Sequence, residues 1–123
     1  MDVKAPATPE TPEPTSVKEL VEKDYEAEVL KATMPVVLDF YSNDSVPCKA
    51  LAPRYGAVAQ KFDGKIRFLK VLRQGNAELA GKLAVTVSPT LVFFKNGAEC
   101  GERLTGDDIK RTALKASVEA LLK

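Results

Sequence analysis

Val36-Val-Leu-Asp39-Phe-Tyr41-Ser-Asn-Asp-Ser45-Val-Pro47-Cys48-Lys-Ala-Leu51-Ala-Pro53-Arg-Tyr55 changes its periodicity halfway along. Val36 to Tyr41 is a continuous apolar run interrupted by one charge, Asp39, the pattern of a short strand covered on both faces. Beyond it the apolar residues fall at Cys48, Leu51, Ala52, Tyr55, Val58, Ala59 and Phe62, and these spacings of three and four predict an amphipathic helix. Pro47 suits the first turn of that helix, where the missing N–H has no partner to lose, whereas Pro53 sits inside it and predicts a bend. The helix therefore opens at Ser45-Val-Pro-Cys48, at the C-terminal end of a buried strand, where open α/β sheets place their sites.

Working outward, Val17-Lys-Glu-Leu20-Val21 alternates weakly and reads as a short edge strand. Asp24 is placed to N-cap a helix with Tyr25, Val29 and Leu30 on one side, stopped by Pro35. Ile66 to Leu72 is a second strand, Asn76 to Ala84 a short helix, and Thr90 to Lys95 a third strand. Asn96-Gly97 is a two-residue hairpin turn leading to a last strand over Ala98 to Leu104. Asp107 is then expected to cap a closing amphipathic helix ending near Leu122. The order β-α-β-α-β-α-β-β-α gives an α/β sandwich on a mixed sheet, with about five strands flanked by about four helices.

Residues 1–15, MDVKAPATPETPEPT, hold four of the eight prolines and almost no large apolar side chain. They are expected to form a disordered, solvated Pro-rich tail, as a free end or an interdomain linker, with a proline-rich partner motif as the alternative. The tail lacks the basic start and long apolar stretch of a secretory signal. The globular domain is expected over 16–123 of the 123 residues, a length that suits a single core.

Charge and composition exclude more than they suggest. With 18 Lys and Arg against 17 Asp and Glu, a net charge of +1 gives no electrostatic case for nucleic acid or an anionic membrane as partner. No apolar run approaches the roughly 18 residues of a membrane span. The chain has no histidine and two cysteines. That excludes Ser-His-Asp and Cys-His catalysis, an imidazole base, and zinc sites built on His or on four cysteines, so no metal and no cofactor is expected. Chemistry is left to carboxylates, lysines, hydroxyls and two sulfurs.

The stretch from Asp39 to Pro53 resembles the active-site segment of the thioredoxin family, in which an aromatic-rich strand leads to Cys-x-x-Cys at a helix start. The resemblance covers the whole globular part. Lys70 ends the next strand as the family's lysine does, Ser88-Pro89-Thr90 matches its cis-proline motif, Phe93-Phe-Lys-Asn-Gly97 its hairpin, and Arg103-Leu-Thr-Gly106 its closing glycine. It implies a thioredoxin fold with a cis-proline before a core strand, and a protein disulfide oxidoreductase active in thiol-disulfide exchange, electron transport and cell redox homeostasis. One departure decides the function: the family's nucleophilic first cysteine is Ser45 here, and only the second is retained, as Cys48, while Asp44 and Val46 stand where the family usually has tryptophan and glycine.

A cysteine at a helix N-terminus is needed because unpaired N–H groups and the positive end of the dipole stabilise a thiolate. That thiolate attacks a disulfide and a second thiol resolves the mixed disulfide. A serine hydroxyl has no comparable state near neutral pH, and with no histidine nothing activates it. Ser45 is expected to serve as a helix-capping hydroxyl. Cys48 is either an exchange-competent lone thiol or a small buried hydrophobe on the apolar stripe, and its position favours the second. Cys100 lies beyond the hairpin, too far for a Cys48–Cys100 disulfide, so both thiols are expected free, as in a reducing, cytoplasmic compartment. By resemblance, Asp39 is the buried proton acceptor for Cys48 and Lys70 its neighbour; the alternative is an Asp39 that faces water. Burial raises its pKa and a nearby lysine opposes this. Val46, Pro47, Ser88 and Pro89 are the implied substrate groove, where a peptide adds as an extended strand.

Two readings stay open. The first is a thioredoxin-type oxidoreductase with serine at the nucleophile position, inactive or very weak as it stands. The second is a redox-inactive or monothiol binding module that recognises partners through the cis-proline groove. Disulfide-containing proteins or a thioredoxin-reductase-like reductant are the expected partners of a monomer, with no nucleic acid and no membrane.

Overall fold

The computed structural model describes residues 16–123; the Pro-rich segment 1–15 lies outside the described residues. Strand β1 (Val17–Glu19) precedes a 3-10 turn (Glu22–Asp24) and a five-residue π turn (Glu26–Leu30). Strand β2 (Val36–Tyr41), helix α1 (Val46–Lys61), strand β3 (Arg67–Leu72) and helix α2 (Ala77–Lys82) follow. Strands β4 (Thr90–Lys95), β5 (Ala98–Glu99) and β6 (Leu104–Thr105) then lead to helix α3 (Arg111–Leu121). The mixed sheet runs β1-β3-β2-β4-β5, with β6 also on β4. β1, β3 and β2 are parallel, and β4 is antiparallel to β2 and to β5 and β6.

Strand β2 is buried from Val36 to Phe40 because both faces of the sheet are covered. Val37 joins Phe68, Leu91 and Phe93 under α1 and α3. Leu38 and Phe40 pack on the other side with Leu69, Val71, Val92 and the segment carrying Tyr25 and Val29. Alternation along the strand puts Asp39 on the α1 side, level with Lys70 on β3. Each fully buried Val, Leu or Phe here contributes about 2 kcal/mol of hydrophobic stabilisation, so β2 is anchored from both sides.

Five expectations from periodicity need correction. Asp24 lies inside the 3-10 turn and caps nothing; the following turn closes with Lys31 N–H donating to the Glu26 carbonyl at 2.9 Å. That π winding buries Tyr25 and Val29 but turns Leu30 to solvent. On α1 the buried stripe includes Gly56 while Ala52 is exposed, although the helix does run through Pro53. The expected last strand over Ala98 to Leu104 is split in two, since Gly101 adopts φ +74° and the chain leaves β4 between the pieces. Asp107 does not cap α3, because Ile109 is buried and holds the chain extended until Lys110. Asp108 instead accepts from Arg54 at 2.9 Å. Helix α2 is also capped from a distance: the Glu22 carboxylate accepts from Leu79 N–H at 3.1 Å, while Asn76 bridges Glu22 N–H and the Leu72 carbonyl at 2.9 Å each.

The hairpin turn has φ +55° at Asn96 and +79° at Gly97, the mirror-image turn that matches strand twist. A Cβ at Gly97 would meet the Leu30 carbonyl oxygen at 2.5 Å, whereas at Gly64, with φ +87°, it would meet nothing within 4 Å. Gly64→Ala is thus expected to cost about 1 kcal/mol for the left-handed backbone alone, and Gly97→Ala about 3 kcal/mol because a carbonyl must also move. Equal losses in urea unfolding of the two variants would reject that close approach.

Candidate functional site

Ser45 is the N-cap of α1. Its backbone is extended, and its Oγ accepts the Cys48 N–H at 3.3 Å. The hydroxyl is thereby committed to one of the orphan N–H groups of the helix. Val46 is 75% exposed, Pro47 occupies the first turn, and Cys48 is buried with its sulfur accepting the Ser42 N–H at 3.4 Å. The loop before the helix is held by its own polar side chains: Ser42 Oγ donates to Asp44 at 2.6 Å and accepts from Gln74 at 2.9 Å. The hydrogen bond from Ser42 holds the Asp44 carboxyl below its ordinary range.

Beneath this loop a cavity of about 240 Å³ brings Asp39, Cys48 and Lys70 together, with Tyr41, Tyr55 and Val17 also on its wall. Asp39 is only 6% exposed, and its Oδ1 has no hydrogen-bond partner among the described residues. The alternative of a water-facing Asp39 is thereby corrected: β2 is a central strand, and α1 covers this face of it. Burial pushes the Asp39 carboxyl up to about 7, the Lys70 ammonium opposes this, and the Glu19 carboxylate adds to it. Tyr55 closes the floor of the cavity. Its O–H donates to the Leu69 carbonyl at 2.7 Å, with the Val37 carbonyl at 3.1 Å, and burial holds it far above its ordinary pKa.

Two features of the surroundings have no periodic signal in the sequence. The Tyr41 hydroxyl donates to the Glu19 carboxylate at 3.0 Å, and the Lys70 ammonium lies 5.5 Å from the Tyr41 ring centroid. Glu19 arrives there because β1 pairs with β3 in the register Glu19–Lys70, which only the strand order decides. Arg73 donates from Nε to Ser88 Oγ at 2.8 Å and from its backbone N–H to the Tyr41 carbonyl at 2.9 Å. Together with the Phe40–Thr90 register, this places Ser88 and Pro89 at the same end of the sheet as the start of α1. The Ser88–Pro89 peptide bond is cis. Val87, 52% exposed, stands beside it.

Cys100 lies elsewhere. Its N–H donates to the Phe93 carbonyl at 2.8 Å, and Phe93 pairs with Val37 at the far end of β2 from Cys48. Both cysteines are free thiols. Among the described residues no three His, Cys, Asp or Glu side chains converge as metal ligands, and no helix is long and apolar enough to cross a membrane.

Unfolded, the Asp39 carboxyl ionises near 3.8; in the fold it does so at about 7. Between these values the folded chain holds a proton that the unfolded chain has released. Stability therefore falls as pH rises from about 4 to about 7 and stays lower above, a difference on the order of 4 kcal/mol. Asp39→Asn is expected to flatten that slope and to raise stability at pH 8 by about 3 kcal/mol. A guanidinium midpoint that falls in the variant at pH 8 would contradict this.

Comparison with known proteins agrees with this geometry. The family model described as Thioredoxin matches residues 16–120. A thioredoxin of Peptoclostridium acidaminophilum is 35% identical over 99 residues, covering 80% of this chain and 89% of that protein. One of Acetoanaerobium sticklandii is 36% identical over 105 residues, covering 85% and 95%. A chloroplastic M-type thioredoxin of Brassica napus is 32% identical over 109 residues, covering 89% of this chain and 60% of that protein. With fold, site and relatives in accord, the chain belongs to the thioredoxin family.

Proposed function

We propose that this chain is a thioredoxin-type disulfide-exchange domain whose dithiol cycle is stopped at one atom, the oxygen that Ser45 carries where the reaction needs sulfur. Family membership supports a thioredoxin-type redox function, and the finer reading rests on the occupied N-cap. Ser45 Oγ accepts the Cys48 N–H, and no hydrogen bond joins it to a basic side chain among the described residues. A thiolate at this position would be stabilised by the same N–H groups and by the helix dipole; an alcohol gains only a cap.

Three further residues support this reading. Cys48, the resolving thiol, and Asp39, its proton acceptor, line one cavity, and Lys70 beside them bears on the acidity of Asp39. In a full cycle the first sulfur bonds to a substrate sulfur and releases one thiol. Cys48 then gives its proton to Asp39 and attacks the first sulfur, and the thiolate this expels takes the proton from Asp39 to leave as the second thiol. Substrate proteins would lie along Val46, Pro47, Ser88 and Pro89 as an added extended strand. Disulfide-containing proteins and a thioredoxin-reductase-like reductant are the partners this implies, met by a monomer in the cytoplasm, whose reducing conditions accord with two free thiols.

The exposed apolar side chains of Val46 and Val87 favour a second reading, a module that binds partners at this end of the sheet without turning them over. Ser45→Cys separates the two. Dithiol-driven reduction of a protein disulfide is expected to rise at least a hundredfold over the parent, since a neutral-pH nucleophile is restored. A folded variant at the parent's rate would overturn the oxidoreductase reading.

A further inference from the structure

The cavity at Asp39 reaches the surface. Its wall runs from Asp39 and Cys48, both buried, to Lys49 and Ala52, both exposed on α1, with Val17 of β1 on the other side. It therefore opens along the seam between α1 and the edge strand, and not only through the loop that carries Ser45. At about 240 Å³ it has the room of roughly eight waters, below the usual range for drug-sized ligands.

Two groups in it lack what they need. Among the described residues Asp39 Oδ1 is an acceptor with no hydrogen-bond partner, on a side chain only 6% exposed, a costly arrangement unless something in the cavity donates to it. Cys48 has no second thiol in reach, since Cys100 is at the other end of the sheet. Its sulfur accepts the Ser42 N–H at 3.4 Å and sits in the first turn of α1, on the same cavity wall as Asp39.

We propose that Cys48 is a monothiol exchange site for low-molecular-weight disulfides that enter through this cavity, and that the cavity excludes peptide-sized disulfides. The proposal rests on the reading that Ser45 leaves Cys48 unpaired. In the step, Asp39 takes the Cys48 proton and the thiolate attacks one sulfur of R–S–S–R. The bond to Cys48 forms as the S–S bond breaks, and the leaving thiolate takes the proton back from Asp39. One disulfide and one thiol are consumed, and one mixed disulfide and one thiol are formed. The mixed disulfide then persists, because no internal thiol resolves it, until a second small thiol exchanges it away.

The test uses the full chain with Ser45 in place. Hydroxyethyl disulfide and oxidised glutathione are each added in excess, and adducts at Cys48 and Cys100 are followed separately by peptide mass spectrometry. Cys100, half-buried and outside the cavity, is the internal reference. The ratio of Cys48 to Cys100 rates is expected to be at least tenfold higher for hydroxyethyl disulfide. Ala52→Leu and Ala52→Phe, which plug the mouth from an exposed helix position, are expected to slow Cys48 progressively, by at least tenfold in the second, with Cys100 unchanged. Equal ratios for the two reagents, an unreactive Cys48, or a Cys48 rate indifferent to both plugs would each overturn the proposal. None of these readouts uses turnover by Ser45→Cys, so the two results stand or fall separately.

Discussion

Inserting a carboxylate into a covered strand constrains everything around the site. Asp39 occupies a position in β2 where alternation demands an inward-facing side chain, and α1 seals that face. Its ionised form loses water, and among the described residues Oδ1 regains no hydrogen-bond partner. The surrounding residues read as responses to that charge. Lys70 stands level with it on β3, Tyr41 lies against the Lys70 ammonium, and Glu19 holds the Tyr41 hydroxyl from β1. Polarity is thus confined to one end of the sheet, while Val37, Leu38 and Phe40 keep the same strand fixed in apolar layers on both sides.

The helix N-terminus beside it is a generic resource. Any residue at the N-cap of α1 meets the same orphan N–H groups, and what it does with them depends on its own acidity. Serine uses them as a cap and gains about 1 kcal/mol of helix stability. A thiol at the same place would gain a charge. Local structure barely distinguishes the two, so an exchange of oxygen for sulfur alters the chemistry of the site while leaving the fold that presents it.

Much of this was legible in the sequence, and the parts that were not share a cause. The run Val36–Tyr41 and the stripe through Leu51, Tyr55 and Val58 depend on local period, so β2 and α1 follow from spacing alone. The separated motifs in order were enough to place the family, and the domain it implies matches residues 16–120. What escaped was decided by tertiary contact. Leu30 faces solvent because a π turn re-phases the segment, and α3 starts late because Ile109 is claimed by the core. Glu22 caps a helix more than fifty residues away, and Glu19 meets Lys70 through strand order. Ala52, read as core, is instead the rim of the cavity. No window of a dozen residues contains that information.

The site therefore separates two kinds of feature by their cost. The N-cap, the turn at Asn96-Gly97 and the apolar stripes all stabilise the domain, so their presence needs no functional explanation. Asp39 does the opposite: an apolar residue or an amide would fill the same space with less loss at neutral pH. The carboxylate shares its cavity with Cys48, Lys70 and Tyr55, so the polar residues at this end of the sheet meet around one space. An orphan carboxylate oxygen on the wall of a cavity is thus the feature of this site that stability does not account for. That holds whatever residue 45 carries, because the cap belongs to α1 and the carboxylate to β2.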